Sequence, residues 1–210
     1  CIPSKMVIHP ADVINIIWEA ERLGIKARIE GIDFNAIMDR SRRLVEEDRR
    51  LLESGLSKAE GLTFYNGVGE FVSDYTMSVS GKNVKAKNIF IASGARPLIP
   101  RIEGLEEAGY LTSQTVWDLT KKPGSMIIVG GGFVAVEFAH FFSSIGTDVT
   151  LLSRSRRLIK QAEPEASELL ELAMSRRMNI VTNVEVVDAR KGGSLKAVSY
   201  THLRAHETGR

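Results

Sequence analysis

A glycine-rich turn is the place in this sequence where residue types and spacing most clearly point to chemistry. The stretch "MIIVGGGFVAVEFAHFF" has Gly130, Gly132 and Ala135 in the pattern G-x-G-x-x-A, between a predicted strand and a predicted apolar helix. The first glycine permits a tight turn, the second lets the backbone approach a pyrophosphate, and the alanine lets the helix pack on the strand. A helix N-terminus also attracts phosphate. We predict a dinucleotide site that includes Phe133 and Val134; the alternative is a turn that holds nothing.

The residues that follow the next predicted strand, "DVTLL", bear on which dinucleotide would bind. An NAD-selective site normally has an acidic residue there, whereas this chain has Ser153 followed by Arg154, with Lys160 further along. Guanidinium groups can hold a 2′-phosphate through two hydrogen bonds, and a carboxylate would repel it. The stretch "RSRR" could also be a nuclear signal or a nucleic-acid patch, but its position just past the strand favours phosphate binding. The sequence therefore favours NADP(H) over NAD(H).

The only cysteine, Cys1, opens the stretch "CIPSKMVIHPADV". Pro3 suits the first turn of a helix, and a thiol at a helix N-terminus near Lys5 would be stabilised as a reactive thiolate. On composition alone a lone cysteine is more often a buried and inert residue, so both interpretations stay open at this point. A single cysteine does exclude an intramolecular disulfide framework and a multi-cysteine metal site within these residues.

Two helices are predicted in the first part of the chain. Apolar residues recur at helical spacing over residues 12–23, where "RLGI" supplies a glycine stop. Asp33 is a candidate N-cap for the helix "FNAIMDRSRRLVEEDRRLLESGL", which we expect to end at Gly55. The dense mixture of arginine and acidic residues in this helix predicts a solvent-exposed face rather than a binding surface.

After Gly61 the residues alternate between polar and apolar, which predicts a short antiparallel meander followed by a buried strand over residues 88–92. A connection rich in proline and glycine then places a domain boundary near residues 111–117. Beyond the glycine-rich turn we expect a helix over residues 164–177 and one strand in "MNIVTNVEVVDA".

Length and composition are those of an ordinary globular protein, with 210 residues, 43% of them hydrophobic, and a formal net charge of +2. This balance argues against a protein that coats nucleic acid. No apolar run approaches the ~20 residues that a membrane-spanning helix needs, and no signal-like start is present. We therefore expect a cytoplasmic protein without a membrane partner.

The final stretch, "SYTHLRAHETGR", has neither helical nor strand periodicity. We interpret residues 199–210 as a non-native or artefactual tail, similar to translated adapter read-through, and exclude them from the fold prediction. His202 and His206 have helical spacing, but no third ligand is evident, so no metal site is predicted.

Four stretches together resemble one family, the FAD-dependent pyridine nucleotide–disulfide oxidoreductases. "CIPSK" is similar to the second half of the redox motif G-G-T-C-x-N-x-G-C-I-P-S-K, and "IASGARPLIP" to the I-A-T-G-S-x-P strand end that closes on the flavin nucleotide, with Ser93 and Ala95 as departures. "TSQTVWDL" resembles the T-S-D segment that leads out of the FAD domain, and "VGGGFVAVEFAHFFSSIGTDVTLL" resembles the NAD(P)H fingerprint. Within the family, the stretches look most similar to mycothione reductases and related dihydrolipoamide-dehydrogenase-like proteins.

The resemblance implies a fold and a division into domains. The fold class is α/β, with two Rossmann-like nucleotide-binding domains of the three-layer type and a small antiparallel meander. Residues 1–114 would be a partial FAD-binding domain, residues 115–198 a truncated NAD(P)H-binding domain, and residues 199–210 the tail. The family's amino-terminal glycine loop and carboxy-terminal interface domain have no counterpart here, so we expect a central fragment of a longer, homodimeric enzyme.

The resemblance also implies roles for residues. Cys1 is similar to the family's second redox cysteine, which faces the flavin and whose partner cysteine would lie upstream. Lys5 matches a lysine beside the flavin and would form a buried ion pair with Glu137, so these three are the candidate catalytic residues. Phe133 would be either a gate displaced by nicotinamide or plain packing. The remaining candidate cofactor-binding residues are Gly69, Ala92, Ser93 and Gly94.

The activity that the resemblance implies is reduction of a small-molecule or protein-bound disulfide, with hydride passing from NADPH to FAD and then to the cysteine pair. A mercuric reductase or an NAD(P)H oxidase on the same scaffold is the alternative among enzymes. The alternative from another class is that residues 1–210 alone form a nucleotide-binding module without turnover.

Overall fold

The computed structural model describes residues 2–193 and 195–203. These residues fold into two compact units, one formed by the described residues up to Arg43 and from Pro97 onward, the other by Leu44–Arg96. The predicted domain limits at residues 114 and 198 stay predictions.

The first unit opens with helix α1, Ile2–Glu19, which a short 3-10 helix, Ala20–Leu23, extends. It includes the periodic segment predicted from residue 12 and begins where Pro3 indicated a first helical turn, so that one helix continues through Pro10. A proline inside a helix removes one backbone donor. The burial of one face compensates for this loss, through residues at helical spacing: Val7, Ala11 and Ile14.

Helix α2 spans Phe34–Lys58. Asp33 caps it as predicted, since the Ala36 N–H donates to Asp33 Oδ1 at 2.9 Å. The predicted end at Gly55 is wrong, because the helix continues three residues further. A glycine costs about 1 kcal/mol relative to alanine in a helix interior, which weakens a helix without ending it.

A parallel α/β unit lies in the second half of the chain. It consists of β4 (Ser125–Val129), α4 (Phe133–Ser144), β5 (Asp148–Leu152), α5 (Pro164–Ser175) and β6 (Asn179–Val181). The strands are parallel in the order β4-β5-β6, so that β5 is central and most buried. This strand–helix–strand arrangement confirms the predicted Rossmann-like α/β class.

The chain then forms an antiparallel hairpin of β7 (Val184–Gly192) and β8 (Leu195–His202). The single strand predicted in "MNIVTNVEVVDA" is therefore two strands, separated by a turn in which Asn183 has a φ of 58°. The absence of strand structure predicted from residue 199 onward is also wrong, since Tyr200 pairs with Val186. Both faces of β8 are largely exposed, so no alternation marks it in the sequence. Residues 204–210 lie outside the described residues, and the non-native origin of the tail stays a prediction.

Two short helical segments, α3 (Leu105–Ala108) and a 3-10 helix (Val116–Asp118), lie in the connection that precedes the parallel unit. The main core is shared by α1, the start of α2 and the parallel unit. None of the helices in the described part of the chain combines the length and the apolar character that crossing a bilayer requires.

The second unit contains the predicted meander, formed by β1 (Gly69–Ser73), β2 (Thr76–Val79) and β3 (Lys82–Lys85) in antiparallel order. The buried strand predicted over residues 88–92 is wrong. Phe90 is 94% exposed and Ile91 is 75% exposed. A strand needs a neighbour for its backbone hydrogen bonds, and no described strand pairs with this segment.

Candidate nucleotide-binding and redox site

The glycine-rich turn connects β4 to α4. Gly130 has a φ of 136°, which favours glycine, and its N–H donates to Leu152 O at 2.8 Å, so the turn is fixed to the end of β5. Gly132 is extended and precedes the helix, which no side chain caps. A Cβ atom on Gly132 would meet nothing within 4 Å. The space and the helix N-terminus together fit the pyrophosphate of a dinucleotide.

The middle glycine of the turn touches the strand that would bind the ribose. A Cβ atom on Gly131 would lie 2.3 Å from Ser153 Oγ, and the Ile159 N–H donates to Gly131 O at 2.6 Å. Gly131 was not among the predicted site residues, because it occupies an unspecified position of the motif; the run of three consecutive glycines was the available signal. The loop after β5 therefore packs directly against the glycine-rich turn and hydrogen-bonds to it.

Ser153 differs from its predicted role as a cofactor contact. Its side chain is buried, with 1% relative exposure, and its hydroxyl donates to Ser155 O at 3.2 Å. The hydroxyl is thus used inside the loop instead of being presented to a ligand. Ser153 still lacks the carboxylate that would repel a 2′-phosphate, as the sequence indicated.

Arg154 and Lys160 are both exposed. Arg154 follows β5 by two residues, and Leu152 at the end of that strand accepts the hydrogen bond from the turn. The Arg154 Nε atom lies 3.7 Å from Glu185 Oε1, with both side chains largely in solvent. Such a pair is weak, so it leaves the guanidinium available for a phosphate.

Lys5 lies in the first turn of α1 and Glu137 in the second turn of α4, and the Lys5 ammonium donates to Glu137 Oε1. Burial raises the pKa of Glu137, but hydrogen bonds from Lys5 and Ser4 and the charge of Lys5 outweigh it, so this pKa lies below its usual value. The pair is not buried as expected, because the Lys5 side chain is 58% exposed. Both helices begin at an open edge of the unit.

The first residues of α4 are also accessible. Phe133 is 60% exposed and Val134 is 51% exposed, while Ala135 is half-buried. A Cβ atom on Gly130 would lie 3.7 Å from the Ala135 methyl carbon, consistent with a small residue at that position. Phe133 is therefore not a packing residue in the described structure.

The candidate flavin residues lie in the second unit, and Cys1 lies outside the described residues. Gly69 lies in the meander, where a Cβ would come within 2.6 Å of Met77 Sδ, so a larger residue would displace that flexible side chain. Ala92, Ser93 and Gly94 form an irregular, exposed segment in which Gly94 has a φ of 74°. No group of metal ligands occurs in the part of the chain that the structure describes.

Residues 1–208 match the family of pyridine nucleotide-disulphide oxidoreductases. Since this match spans almost the whole sequence, the chain belongs to that family, as the motifs predicted. Membership implies FAD and a pyridine nucleotide as cofactors.

Several characterised proteins are similar to the chain. It is 31% identical to a mercuric reductase of Lysinibacillus sphaericus (96% of this chain, 37% of the relative). It is 30% identical to a mycothione reductase of Mycobacterium tuberculosis (92% and 44%) and 30% identical to a dihydrolipoyl dehydrogenase of Acholeplasma laidlawii (89% and 57%). The chain thus spans well under two thirds of the length of each of these relatives.

The fold is also that of a solved flavoprotein. The HOCl-induced flavoprotein disulfide reductase RclA of Escherichia coli matches 97% of this chain with 45% of its own length, at a TM-score of 0.73 and 22% identity. Its Cu(II) complex matches at a TM-score of 0.76. At this identity the likeness concerns the fold, and it confirms the predicted fold class.

Proposed function

We propose that the protein carrying this chain is an FAD-dependent NAD(P)H:disulfide oxidoreductase that acts on a small-molecule or protein-bound disulfide. The observation that carries this proposal is the contact between Lys5 and Glu137. It joins the first turn of the helix that begins in the C-I-P-S-K motif to the second turn of the helix that follows the glycine-rich turn. The redox thiol and the glycine-rich turn that would bind the nucleotide would thus lie at the same edge of the unit.

Each part of this edge has a role in the proposal. The turn from Gly130 to Gly132 and the start of α4 bind the pyrophosphate through backbone N–H groups. Cys1 directly precedes Ile2, where α1 begins, so in the proposal its thiolate would be stabilised by the start of that helix and by the positive charge of Lys5. Glu137 orients that ammonium. Bound FAD would supply the two-electron relay between the nicotinamide and the sulfur.

Arg154 and Lys160 support a preference for NADP(H). Both cations are exposed beyond β5, and no acidic residue stands at the position of Ser153. A 2′-phosphate would gain charge-assisted hydrogen bonds from Arg154 in exchange for the weak pair with Glu185. Phe133 is placed at the open start of α4, where it acts as a gate that nicotinamide displaces.

A mercuric reductase activity is the second candidate, because mercuric reductases are among the relatives at about the same identity as mycothione reductase. An NAD(P)H oxidase on the same scaffold is the third. The protein is proposed to be cytoplasmic and homodimeric in its full length.

For residues 1–210 taken alone, a nucleotide-binding module without turnover is favoured. Ala92, Ser93 and Gly94, the candidate flavin contacts, are exposed in the described structure. The isolated chain would therefore bind NADPH through the glycine-rich turn, and it would come out of purification without flavin colour.

The test compares wild type with Cys1→Ser in the full-length protein, with lipoamide, mycothione disulfide, Hg(II) and O₂ as separate acceptors for NADPH oxidation. Wild type should reduce one disulfide, and Cys1→Ser should lose this turnover while its dissociation constant for NADPH stays within about twofold, because the turn is untouched. Disulfide turnover that survives in Cys1→Ser would overturn the proposal. Turnover with O₂ alone, insensitive to the substitution, would indicate an oxidase.

A further inference from the structure

Helices α1 and α4 pack side by side and run in the same direction. Lys5 contacts Glu137, Asp12 Oδ1 lies 2.9 Å from His140 Nε2, and the Asn15 amide donates to Ser144 Oγ at 2.7 Å. The partners advance along both helices in the same order. The N-termini of the two helices therefore lie at the same end, where the redox motif and the glycine-rich turn begin.

A hydrogen-bonded cluster joins these helices at their other end. Asn15 Nδ2 donates to Ala11 O at 2.6 Å and to Ser144 Oγ, and Ser144 in turn donates to His140 O at 2.7 Å. Arg177 Nη1 donates to Asn15 Oδ1 at 2.7 Å and to Ser144 Oγ at 3.0 Å. Each polar atom of Asn15 and Ser144 is thus used, which fixes the orientation of the amide.

Arg177 also determines which nitrogen of the neutral His140 ring carries the proton. Its Nη2 atom lies 3.1 Å from His140 Nδ1. A guanidinium can only donate, so Nδ1 accepts, and the neutral ring carries its proton on Nε2, which donates to Asp12. One arginine thereby sets the hydrogen bonds of three residues on two helices.

Arg177 belongs to neither α1 nor α4, so it links both helices to a third segment of the chain. It follows α5, and its N–H donates to Met174 O at 3.0 Å. Burial lowers the pKa of Arg177, whereas the carboxylates of Glu19 and Asp12 raise it. Ser144 is fully buried beneath the guanidinium, so loss of Arg177 would leave a buried cluster with unmet acceptors.

We propose that Arg177 is a positioning residue, which locks α1 against α4 through Asn15, Ser144 and His140. The lock fixes the distance between the start of the redox helix and the glycine-rich turn. This role rests on the proposed function, since the distance matters only if electrons pass between the two helix ends. A displacement on the order of 1 Å can lower a rate by up to about 100-fold.

The experiment uses the full-length holoenzyme with Arg177→Met, the conservative Arg177→Lys, and Arg176→Met as the matched control. Arg176 is the exposed neighbour of Arg177. Arg177→Met should lower kcat about 10-fold and leave the dissociation constant for NADPH within about twofold, since the turn keeps its own bonds. Arg177→Lys should restore part of kcat, and Arg176→Met should match wild type.

Amide hydrogen exchange supplies a readout that does not depend on turnover. Exchange in the last two turns of α1 should quicken about 10-fold in Arg177→Met and stay unchanged in Arg176→Met. Either wild-type kcat or wild-type exchange in α1 in the Arg177→Met variant would overturn the proposal, even if its melting temperature fell. Should Arg177→Met fail to fold, Asn15→Leu removes the bonds of the α1 residue to Arg177 and Ser144, and it must likewise lower kcat and quicken exchange in α1.

The failure of this proposal is distinguishable from failure of the proposed function. If wild type lacks disulfide turnover, the proposed function is wrong, and the rate comparison falls with it. If wild type turns over and Arg177→Met equals it in kcat, the lock alone is wrong.

Discussion

Gly131 and Ser153 are so close that a methyl group on Gly131 would lie 2.3 Å from Ser153 Oγ and 3.0 Å from Ser153 Cβ. Ser153 cannot easily retreat, because it is buried and its N–H donates to Val181 O at 2.8 Å. The glycine-rich turn therefore rests directly on the end of β5. Its neighbour Gly132 faces open space. Gly131 therefore allows close packing on β5, whereas Gly132 leaves room beside the helix N-terminus.

Gly131→Ala should destabilise the chain by about 1–3 kcal/mol, the usual cost of overpacking. Gly132→Ala, its matched control, should unfold at the same or a slightly higher urea concentration, because its φ of −87° suits alanine. The dissociation constant of Gly132→Ala for NADPH should nevertheless rise about 10-fold, as the methyl group occupies the space next to the helix N-terminus. Equal urea midpoints for the two variants would contradict the inference that Gly131, but not Gly132, is packed too tightly for a side chain.

Glu137→Gln tests the ion pair with Lys5. The pKa of Glu137 is lowered in the folded chain, so its contribution to stability is present above its ordinary pKa and is lost as the pH falls through the folded value. The variant should be less stable by about 0.5–1 kcal/mol at pH 7, since solvent screens the pair, and should equal wild type in acid.

The measurement is the free energy of unfolding in urea between pH 3 and pH 7. Glu30→Gln is the control, because Glu30 pairs with Arg28 where both side chains are more than three quarters exposed. A deficit in Glu137→Gln that is the same at every pH would show that the carboxylate charge plays no part.

The parallel unit and its turn could be predicted because their signals are local. The glycines, the apolar strand and the apolar helix are adjacent in the chain, and each acts within a few residues. The N-cap at Asp33 was predictable for the same reason. The start of α1 was indicated by Pro3, which suits a first helical turn, whereas the apolar periodicity was followed only from residue 12 and missed the buried Val7.

The errors have a common physical origin in missing or distant neighbours. Residues 88–92 have the composition of a buried strand, yet a strand forms only beside another one, and the described residues offer none. Arg177 was absent from the predicted site because its partner Asn15 is 162 positions away in the sequence. No periodicity connects residues at that separation.

Arg154→Ala should lower the affinity for NADPH about 10-fold or more and leave that for NADH unchanged, because charge-assisted hydrogen bonds to the 2′-phosphate are lost. Arg28→Ala is the control, as an exposed arginine outside this stretch. The measurement is the ratio of kcat/KM for the two cofactors in the full-length protein. An unchanged ratio in Arg154→Ala would remove the basis for the NADP(H) preference.

Phe90 and Leu98 are each 94% exposed, although large apolar side chains of this kind normally lie in a core. Phe90→Ser should change the free energy of unfolding of residues 1–210 by less than about 0.5 kcal/mol. In the full-length protein the same substitution should cost about 3 kcal/mol if further chain covers the ring. An equally small cost in both proteins would argue against such cover.

The proposed activity requires that Cys1, which precedes α1 in the sequence, exchanges electrons with a flavin beside the glycine-rich turn. A crystal structure of the FAD-loaded, full-length protein would give the distance between the sulfur and the flavin. We expect Cys1 Sγ in van der Waals contact with the isoalloxazine ring, at about 3.5–4 Å. A sulfur separated from the ring by intervening protein would rule out this electron transfer.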